Sequence, residues 1–350
     1  MTDEAHDTRR ADAFDRECMT RAIAAAGRVR CITSPNPWVG AVVRTRDGAI
    51  YEGATRRPGE AHAEIVALEA AGPDASGGTL YVTLEPCDHT GRTGPCTEVI
   101  IEAGITRVVV GVEDPDPLVA GRGIERLRDA GLTVEVGVQA EQVTNQLAPY
   151  LKHRRTGRPW VVLKLAASLD GGTAAPNGSS QWITSPPARA DGHRLRAESD
   201  AILVGSGTVR RDDPSLTVRD YRDPLSPEPG SLDPRRIVLG AAPADAAVRP
   251  CTEFKGDLSE ILDQLGEEGV VQLLVEGGAS VAGDFHRAGL VDRYVIYVAP
   301  ALFGGHDAGG LFGGHGAFDI SELWRGRFIS VDRVGDDLRI ELAPLAGGGD

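Results

Sequence analysis

Apolar, largely β-branched stretches alternate with stretches of helical periodicity twice along this chain, and this double alternation restricts it to sheets with helices packed on their faces. The first series reads as helix Asp12–Gly27, strand Val39–Arg44, an Asp47-Gly48 turn, strand Ala49–Gly53, helix Ala61–Ala71, strand Thr79–Leu84, helix Thr97–Ala103, strand Arg107–Val112, helix Gly123–Ala130 and strand Thr133–Val138. Residues 1–11 read as a frayed polar start, and the basic segment Lys152–Pro159 as a linker. The second series reads as strand Trp160–Ala167, helix Pro187–Arg196, strand Ala201–Val204, a Pro-rich loop over 220–234, strand Arg236–Leu239, helix Asp257–Leu265, strand Val271–Val275, helix Ser280–Ala288 and strand Arg293–Ala299, followed by a glycine-rich loop over 304–316. A length of 350 residues suits two domains, expected at 12–151 and 160–346 around the linker 152–159.

Charge narrows the function. The chain has 51 acidic and 37 basic side chains and a net charge of −14, which disfavours nucleic-acid backbones and anionic lipids but leaves room for a small phosphorylated ligand held by a few arginines. No run of 18 apolar residues suggests a membrane span, and the polar, acidic start shows no secretory signal. Five cysteines, an odd number in a long chain, argue against a disulfide framework and point to a reducing cytoplasm, where close cysteines more often serve metal or catalysis.

The strongest motif is His62-Ala63-Glu64, followed by Pro86-Cys87 and then Cys96. One imidazole and two thiolates supply three ligands for Zn²⁺ and leave a fourth position for water, the arrangement of a catalytic site. Such a site needs a proton carrier, and Glu64 stands beside the ligand. His-x-Glu with a later Pro-Cys pair is the signature of zinc nucleobase deaminases, although eight residues separate the cysteines here instead of two. A closed structural site with His89 as fourth ligand is the competing reading; otherwise His89 reads as a loop residue that touches substrate.

The second half carries weaker signals. Gly205-Ser206-Gly207-Thr208 and Glu276-Gly277-Gly278-Ala279-Ser280 each follow an apolar strand and precede a helix, so their amides suit phosphate oxygens, yet ordinary strand-to-helix turns have the same form. Lys164, one of only three lysines, lies within an apolar strand and reads equally as a snorkelling edge residue or as a proton donor. Glu276 ends an apolar strand and requires a partner or ligand there, such as a ribose hydroxyl.

These motifs resemble one family throughout. Asn36-Pro37-Trp38-Val39-Gly40, His62-Ala63-Glu64, Thr83-Leu84-Glu85-Pro86-Cys87, Gly91-Arg92-Thr93 and Pro95-Cys96 are similar to the bifunctional deaminase/reductase of riboflavin biosynthesis. So are Lys164–Gly171, Ser180–Thr184, Leu195-Arg196, Asp200-Ala201-Ile202, Gly207-Thr208-Val209, Asp212-Asp213-Pro214, Leu216–Arg219 and Glu276-Gly277-Gly278. The resemblance spans nearly all of residues 12–345. It implies a cytidine-deaminase-like three-layer α/β/α domain followed by a dihydrofolate-reductase-like α/β domain. It implies His62, Cys87 and Cys96 as zinc ligands, Glu64 as the proton shuttle and Asn36 as a substrate contact. In the second domain it implies NADPH contacts at Ala166, Trp182, Thr208, Asp212 and a turn of Gly278, Ala279, Ser280, Val281, Ala282, Gly283 and Asp284, and substrate contacts at Ser180, Arg196, Leu216, Arg219 and Glu276. Arg196 and Arg219 suit a sugar phosphate because a guanidinium offers a planar fork. The implied activity is hydrolytic deamination of a phosphoribosylated diaminopyrimidinone, then reduction of the ribosyl group to ribityl. A homo-oligomer is the expected state. Gly94 stands where the family usually has Pro, and Gly240 where it usually has Asp. Rival readings are a nucleoside or tRNA deaminase with a ligand-binding appendage, and a regulatory module that senses NADPH around a structural zinc.

Overall fold

Val42 and Tyr81 lie opposite one another on adjacent strands and turn towards one face of a sheet, where the Tyr81 hydroxyl donates to Asp15 at 2.8 Å. The structure is a computed structural model and describes residues 3–89, 94–117, 119–226, 228 and 230–345. It divides into two compact units, Met1–Gly157 and Arg158–Asp350.

The first unit runs α1 (Asp3–Arg28), β1 (Gly40–Arg44), β2 (Ile50–Ala54), α2 (Ala63–Ala71), β3 (Thr79–Leu84), α3 (Cys96–Glu102), β4 (Arg107–Val112), α4 (Arg122–Asp129), β5 (Thr133–Val136) and α5 (Ala140–Thr156). The sheet order is β2-β1-β3-β4-β5, with β1 antiparallel to both neighbours and β3, β4 and β5 parallel. Asp15 brings α1 onto the Tyr81 face, and Gln146 of α5 donates to the Ile23 carbonyl of α1 at 2.8 Å. On the opposite face α2 presses against Gly53, where a Cβ would lie 2.3 Å from the Ala63 oxygen, so only glycine permits this approach. Helices therefore cover both faces, as a three-layer α/β/α unit requires.

The second unit runs β6 (Trp160–Ser168), α6 (Pro186–Ala197), β7 (Ala201–Gly205), α7 (Ser206–Asp212), β8 (Arg235–Leu239), β9 (Thr252–Phe254), α8 (Leu258–Glu267), β10 (Gln272–Val275), α9 (Ala279–Arg287), β11 (Arg293–Ala299), β12 (Gly326–Val334) and β13 (Asp337–Pro344). Its sheet order is β12-β13-β11-β6-β10-β7-β8-β9, parallel from β11 to β9 and antiparallel through β13 and β12. Ile261, Leu262 and Leu265 of α8 and Val281, Ala282 and Phe285 of α9 pack on one face. Ala188 and Leu195 of α6 and Val209 of α7 pack on the other. The chain moves outward from β6 to β7, β8 and β9, then returns to insert β10 between β6 and β7. Open α/β sheets bind ligands at the carboxyl ends of the strands beside such a reversal.

Several expectations are corrected. The first helix begins at Asp3, not Asp12. The segment 152–159 is helical to Thr156: α5 carries Pro149 within it, and Gly157 at φ +73° ends it. The helix expected after the Gly205 turn begins within it, at Ser206, as α7. The strands β9, β12 and β13 were not expected; the last two alternate polar and apolar residues and leave much of their surface exposed.

Candidate functional site

His62 is the residue immediately before α2, Cys87 lies three residues beyond β3, and Cys96 opens α3. The sheet and its helices thus bring three separate segments to one point. His62 Nδ1 is 3.3 Å from Cys96 Sγ and 3.6 Å from Cys87 Sγ, and all three donor atoms lie within 4.8 Å of one another. Donors bound tetrahedrally to one zinc ion at ordinary N and S distances stand about 3.5 Å apart. Chemistry and spacing of this donor set both fit zinc. Among the described residues His89 is not part of the cluster; it is exposed and lines the cavity beside it. The hydrogen bond from Cys96 holds the Cys87 thiol well below its ordinary value, and the same contact pushes Cys96 up.

Glu64 lies in the first turn of α2 and is 4% exposed. Burial pushes its carboxyl up to about 7, with the Cys87 charge adding to the effect. A carboxyl poised there can both accept and return a proton near neutrality. It opens, with His62 and Cys87, onto a cavity of about 150 Å³ whose other walls include Asn36, His89 and Asp114. Of the motif residues, Gly91-Arg92-Thr93 lie outside the described residues. At Gly94 a Cβ would meet nothing within 4 Å, so packing gives no reason for glycine there.

Sequence reasoning missed Glu85, Asp114 and Tyr150. Buried Glu85 accepts from the backbone N–H groups of Asp114 (3.2 Å), Gly121 (3.0 Å), Gly123 (3.0 Å) and Ile124 (3.2 Å), and so pins the cavity wall to the start of α4. Glu85→Gln is expected to lower stability by about 1–3 kcal/mol, because one amide oxygen replaces two acceptors for these amides; urea unfolding of the full chain measures it. Burial raises Asp114 to about 6, and Tyr150 donates to it at 3.1 Å. The repeated Asp-Pro of residues 114–117, just beyond β4, was the available signal. Tyr150 follows Pro149, which masks the helix that carries it.

In the second unit, the structure gathers Lys164, Arg196 and Glu276. Arg196 Nε and Nη2 donate to the two Glu276 oxygens at 2.8 and 3.0 Å, and Nη1 donates to the Thr217 carbonyl at 3.0 Å. Lys164 Nζ lies 3.8 Å from Glu276 Oε2. Burial opposes the Glu276 charge, but Arg196 and Lys164 outweigh it and hold the carboxyl down to about 2. Arg196, expected to offer its fork to a sugar phosphate, instead closes it on the buried carboxylate that needed a partner. Glu276 accordingly needs no ribose hydroxyl to satisfy it. The edge reading of Lys164 is also overturned, since β6 is an interior strand.

The two glycine-containing turns meet as well. They leave the adjacent parallel strands β7 and β10, and Gly278 N donates to Thr208 Oγ1 at 3.2 Å. Gly207 faces open space, while Ala166 is half-buried on β6. Backbone amides of such turns suit the phosphates of a dinucleotide. The expected turn from Gly278 to Asp284 is a correction: from Ala279 the chain is helix α9. Val281 and Ala282 point into the core, and Gly283 packs against the Gly313 oxygen. Ser280 lies in the first turn of α9, and Asp284 pairs with Arg287 at 2.7 Å. Trp182 is 66% exposed with the Arg189 guanidinium 4.6 Å from its ring centre, so it is not a core tryptophan. Leu216 is buried at φ +55°, a costly backbone for leucine. Arg219 is exposed and donates to the hydroxyls of Ser215 and Thr217. In the hydrogen-bond network of the described residues, half-buried Ser180 and exposed Asp212 stand apart from these groups. Gly240 has φ +104° and sits so close to Ser206 Oγ that a Cβ would lie 2.6 Å from it, so this backbone excludes the Asp expected there.

Comparison with known proteins covers both units. The family model for the cytidine and deoxycytidylate deaminase zinc-binding region matches residues 12–112, and that for the RibD C-terminal domain matches residues 159–339. The riboflavin biosynthesis protein RibD of Escherichia coli K12 is 42% identical over 364 residues, covering 94% of this chain and 99% of its own. Among solved structures, Acinetobacter baumannii RibD superposes with a TM-score of 0.87 at 36% identity, over 95% of this chain and 99% of that one. A diaminohydroxyphosphoribosylaminopyrimidine deaminase/5-amino-6-(5-phosphoribosylamino)uracil reductase from Thermotoga maritima superposes at 0.83 with 34% identity, over 96% of this chain and all of that one.

Proposed function

The chain belongs to the RibD family of riboflavin biosynthesis, and from that premise we propose which of its residues carry the two reactions. It is a bifunctional enzyme, a hydrolytic deaminase and a reductase. The substrate is the phosphoribosylated diaminopyrimidinone, and the deaminated product is the substrate of the reduction. The observation that carries the reading is the convergence of His62, Cys87 and Cys96 on one point with buried Glu64 beside them.

His62, Cys87 and Cys96 hold the zinc. Bound zinc supplies a Lewis acid that brings the pKa of water into the neutral range. Glu64 takes the proton of the attacking water on its carboxylate and returns it to the departing ammonia. Asn36 and His89, on the cavity wall, orient the pyrimidine.

In the second unit the turns at Gly205–Thr208 and Glu276–Gly278 and the start of α9 hold NADPH, with Ala166, Trp182 and Asp212 at its margins. NADPH supplies hydride when bound. Arg219 and Ser180 hold the sugar phosphate. Lys164, kept beside buried Glu276, provides the proton that the opened sugar requires. The same reading makes the enzyme a cytoplasmic homo-oligomer; among the described residues no helix is long and apolar enough to cross a membrane.

One assay tests the whole. Zinc-loaded protein given the phosphoribosylated diaminopyrimidinone is expected to release ammonia and then oxidise NADPH in the same tube. Chelation is expected to stop ammonia release, to free Cys87 for reaction with thiol reagents, and to leave reduction of the deaminated substrate intact. Ammonia release from free pyrimidine nucleosides alone would favour the rival deaminase, and a silent assay in both channels would move the zinc to a structural role.

A further inference from the structure

The segment that follows α7 carries Leu216, buried at φ +55°, and Arg219. A leucine in left-handed backbone persists only where its surroundings over-determine it. Here three side chains from outside the segment hold three successive residues. Arg196 Nη1 donates to the Thr217 carbonyl at 3.0 Å, Val218 N donates to Asp233 Oδ1 at 2.7 Å, and Arg219 N donates to His193 Nδ1 at 3.2 Å. His193 precedes Arg196 by three residues on α6, so the two share one side of that helix. It is 7% exposed, and its other nitrogen, Nε2, lies 3.5 Å from Asp220 Oδ2. Burial holds the imidazole below its ordinary value, with the Arg196 and Arg219 charges adding to the effect and Asp220 and Glu276 opposing it. The ring is therefore neutral at neutral pH. With its proton on Nε2, towards Asp220, Nδ1 keeps the lone pair that the Arg219 amide needs.

We propose that His193 is a positioning residue for Arg219: by holding the Arg219 amide it fixes the root of the guanidinium that receives the sugar phosphate. Nη1 of that guanidinium is braced on the Ser215 and Thr217 hydroxyls, while Nε and Nη2 donate to no described residue and suit two phosphate oxygens. The inference rests on the reading of Arg219 as a phosphate-binding residue. The phosphate stands at the far end of the sugar from the carbon that accepts hydride. Loosening Arg219 accordingly weakens the binding of substrate and transition state alike, which raises KM and spares kcat.

Steady-state reduction of the deaminated substrate by the full chain tests it. His193→Leu is expected to raise KM for that substrate about tenfold, the effect of leaving one backbone amide without its acceptor, with kcat within about twofold of the parent. His193→Asn, whose Oδ1 stands where Nδ1 stood, is expected to recover most of the parental KM. Arg219→Ala is expected to raise KM at least as far, and His193→Leu/Arg219→Ala no further, since a residue that acts through Arg219 then has nothing to act on. KM for NADPH and the rate of ammonia release are expected to stay parental in every variant, which separates lost positioning from a lost fold. A parental KM in His193→Leu, an Asn variant no better than Leu, or effects that add in the double variant overturn the positioning role and leave Arg219 its own. A His193→Leu variant that raises KM for NADPH equally makes the histidine architectural and also overturns it. A parental KM in Arg219→Ala overturns the phosphate reading of Arg219 and the inference with it.

Discussion

Glu64→Gln is expected to reduce ammonia release by about 10²–10⁴-fold, the usual contribution of a positioned acid–base group. Glutamine keeps the size of the side chain and one acceptor oxygen but cannot carry the proton from water to the leaving amine. Glu64 supplies no donor atom to the His62, Cys87 and Cys96 cluster, so zinc content is expected to stay at the parental level. Oxidation of NADPH with the deaminated substrate is likewise expected to be unchanged, because that chemistry belongs to the second unit. The measurement is ammonia release under saturating substrate, with metal analysis and the reductase assay on the same preparation. Deamination at the parental rate would remove Glu64 from the mechanism, and loss of zinc would recast it as support for the metal cluster.

The second large effect falls on Arg196 and Glu276. Removing one member of a buried ion pair leaves an uncompensated charge, typically a cost of about 3–5 kcal/mol. Arg196→Ala is expected to destabilise the chain by that amount and to abolish NADPH oxidation. The double variant Arg196→Leu/Glu276→Leu is expected to recover most of the stability without the activity, since apolar groups of similar volume replace buried pairs well. Guanidinium unfolding and the reductase assay together read the two effects. A double variant that reduces substrate at the parental rate would make the pair purely architectural. Linkage adds a pH dependence. The folded-state value of Glu276, about 2, lies below its ordinary 4.5, so the stability it contributes is complete above about pH 4.5 and is lost as the pH falls towards 2.

What was legible in the sequence differs between the two units for a physical reason. The metal cluster was readable because zinc accepts few side-chain types, and His62, Cys87, Cys96 and Glu64 sit in short motifs whose local spacing carries the chemistry. Asp114 and Glu85 were not readable as cavity-wall residues, since their partners lie across loops and on α5. Arg196 was readable as a charged residue in a matching motif, but its partner stands 80 residues away. Sequence alone therefore offered it to a phosphate, whereas the fold brings it to a carboxylate.

The sequence by itself determined the class of fold and singled out His62, Cys87 and Cys96, which the fold brings together. Periodicity and ligand chemistry act over a few residues, and a single chain displays them directly. The tertiary structure decided which charges neutralise one another, where helix α5 persists through Pro149, and that β12 ends the sheet. Those outcomes depend on what burial brings together, because a buried charge must find its partner wherever the chain returns, and an edge exists only once the order of the strands is set.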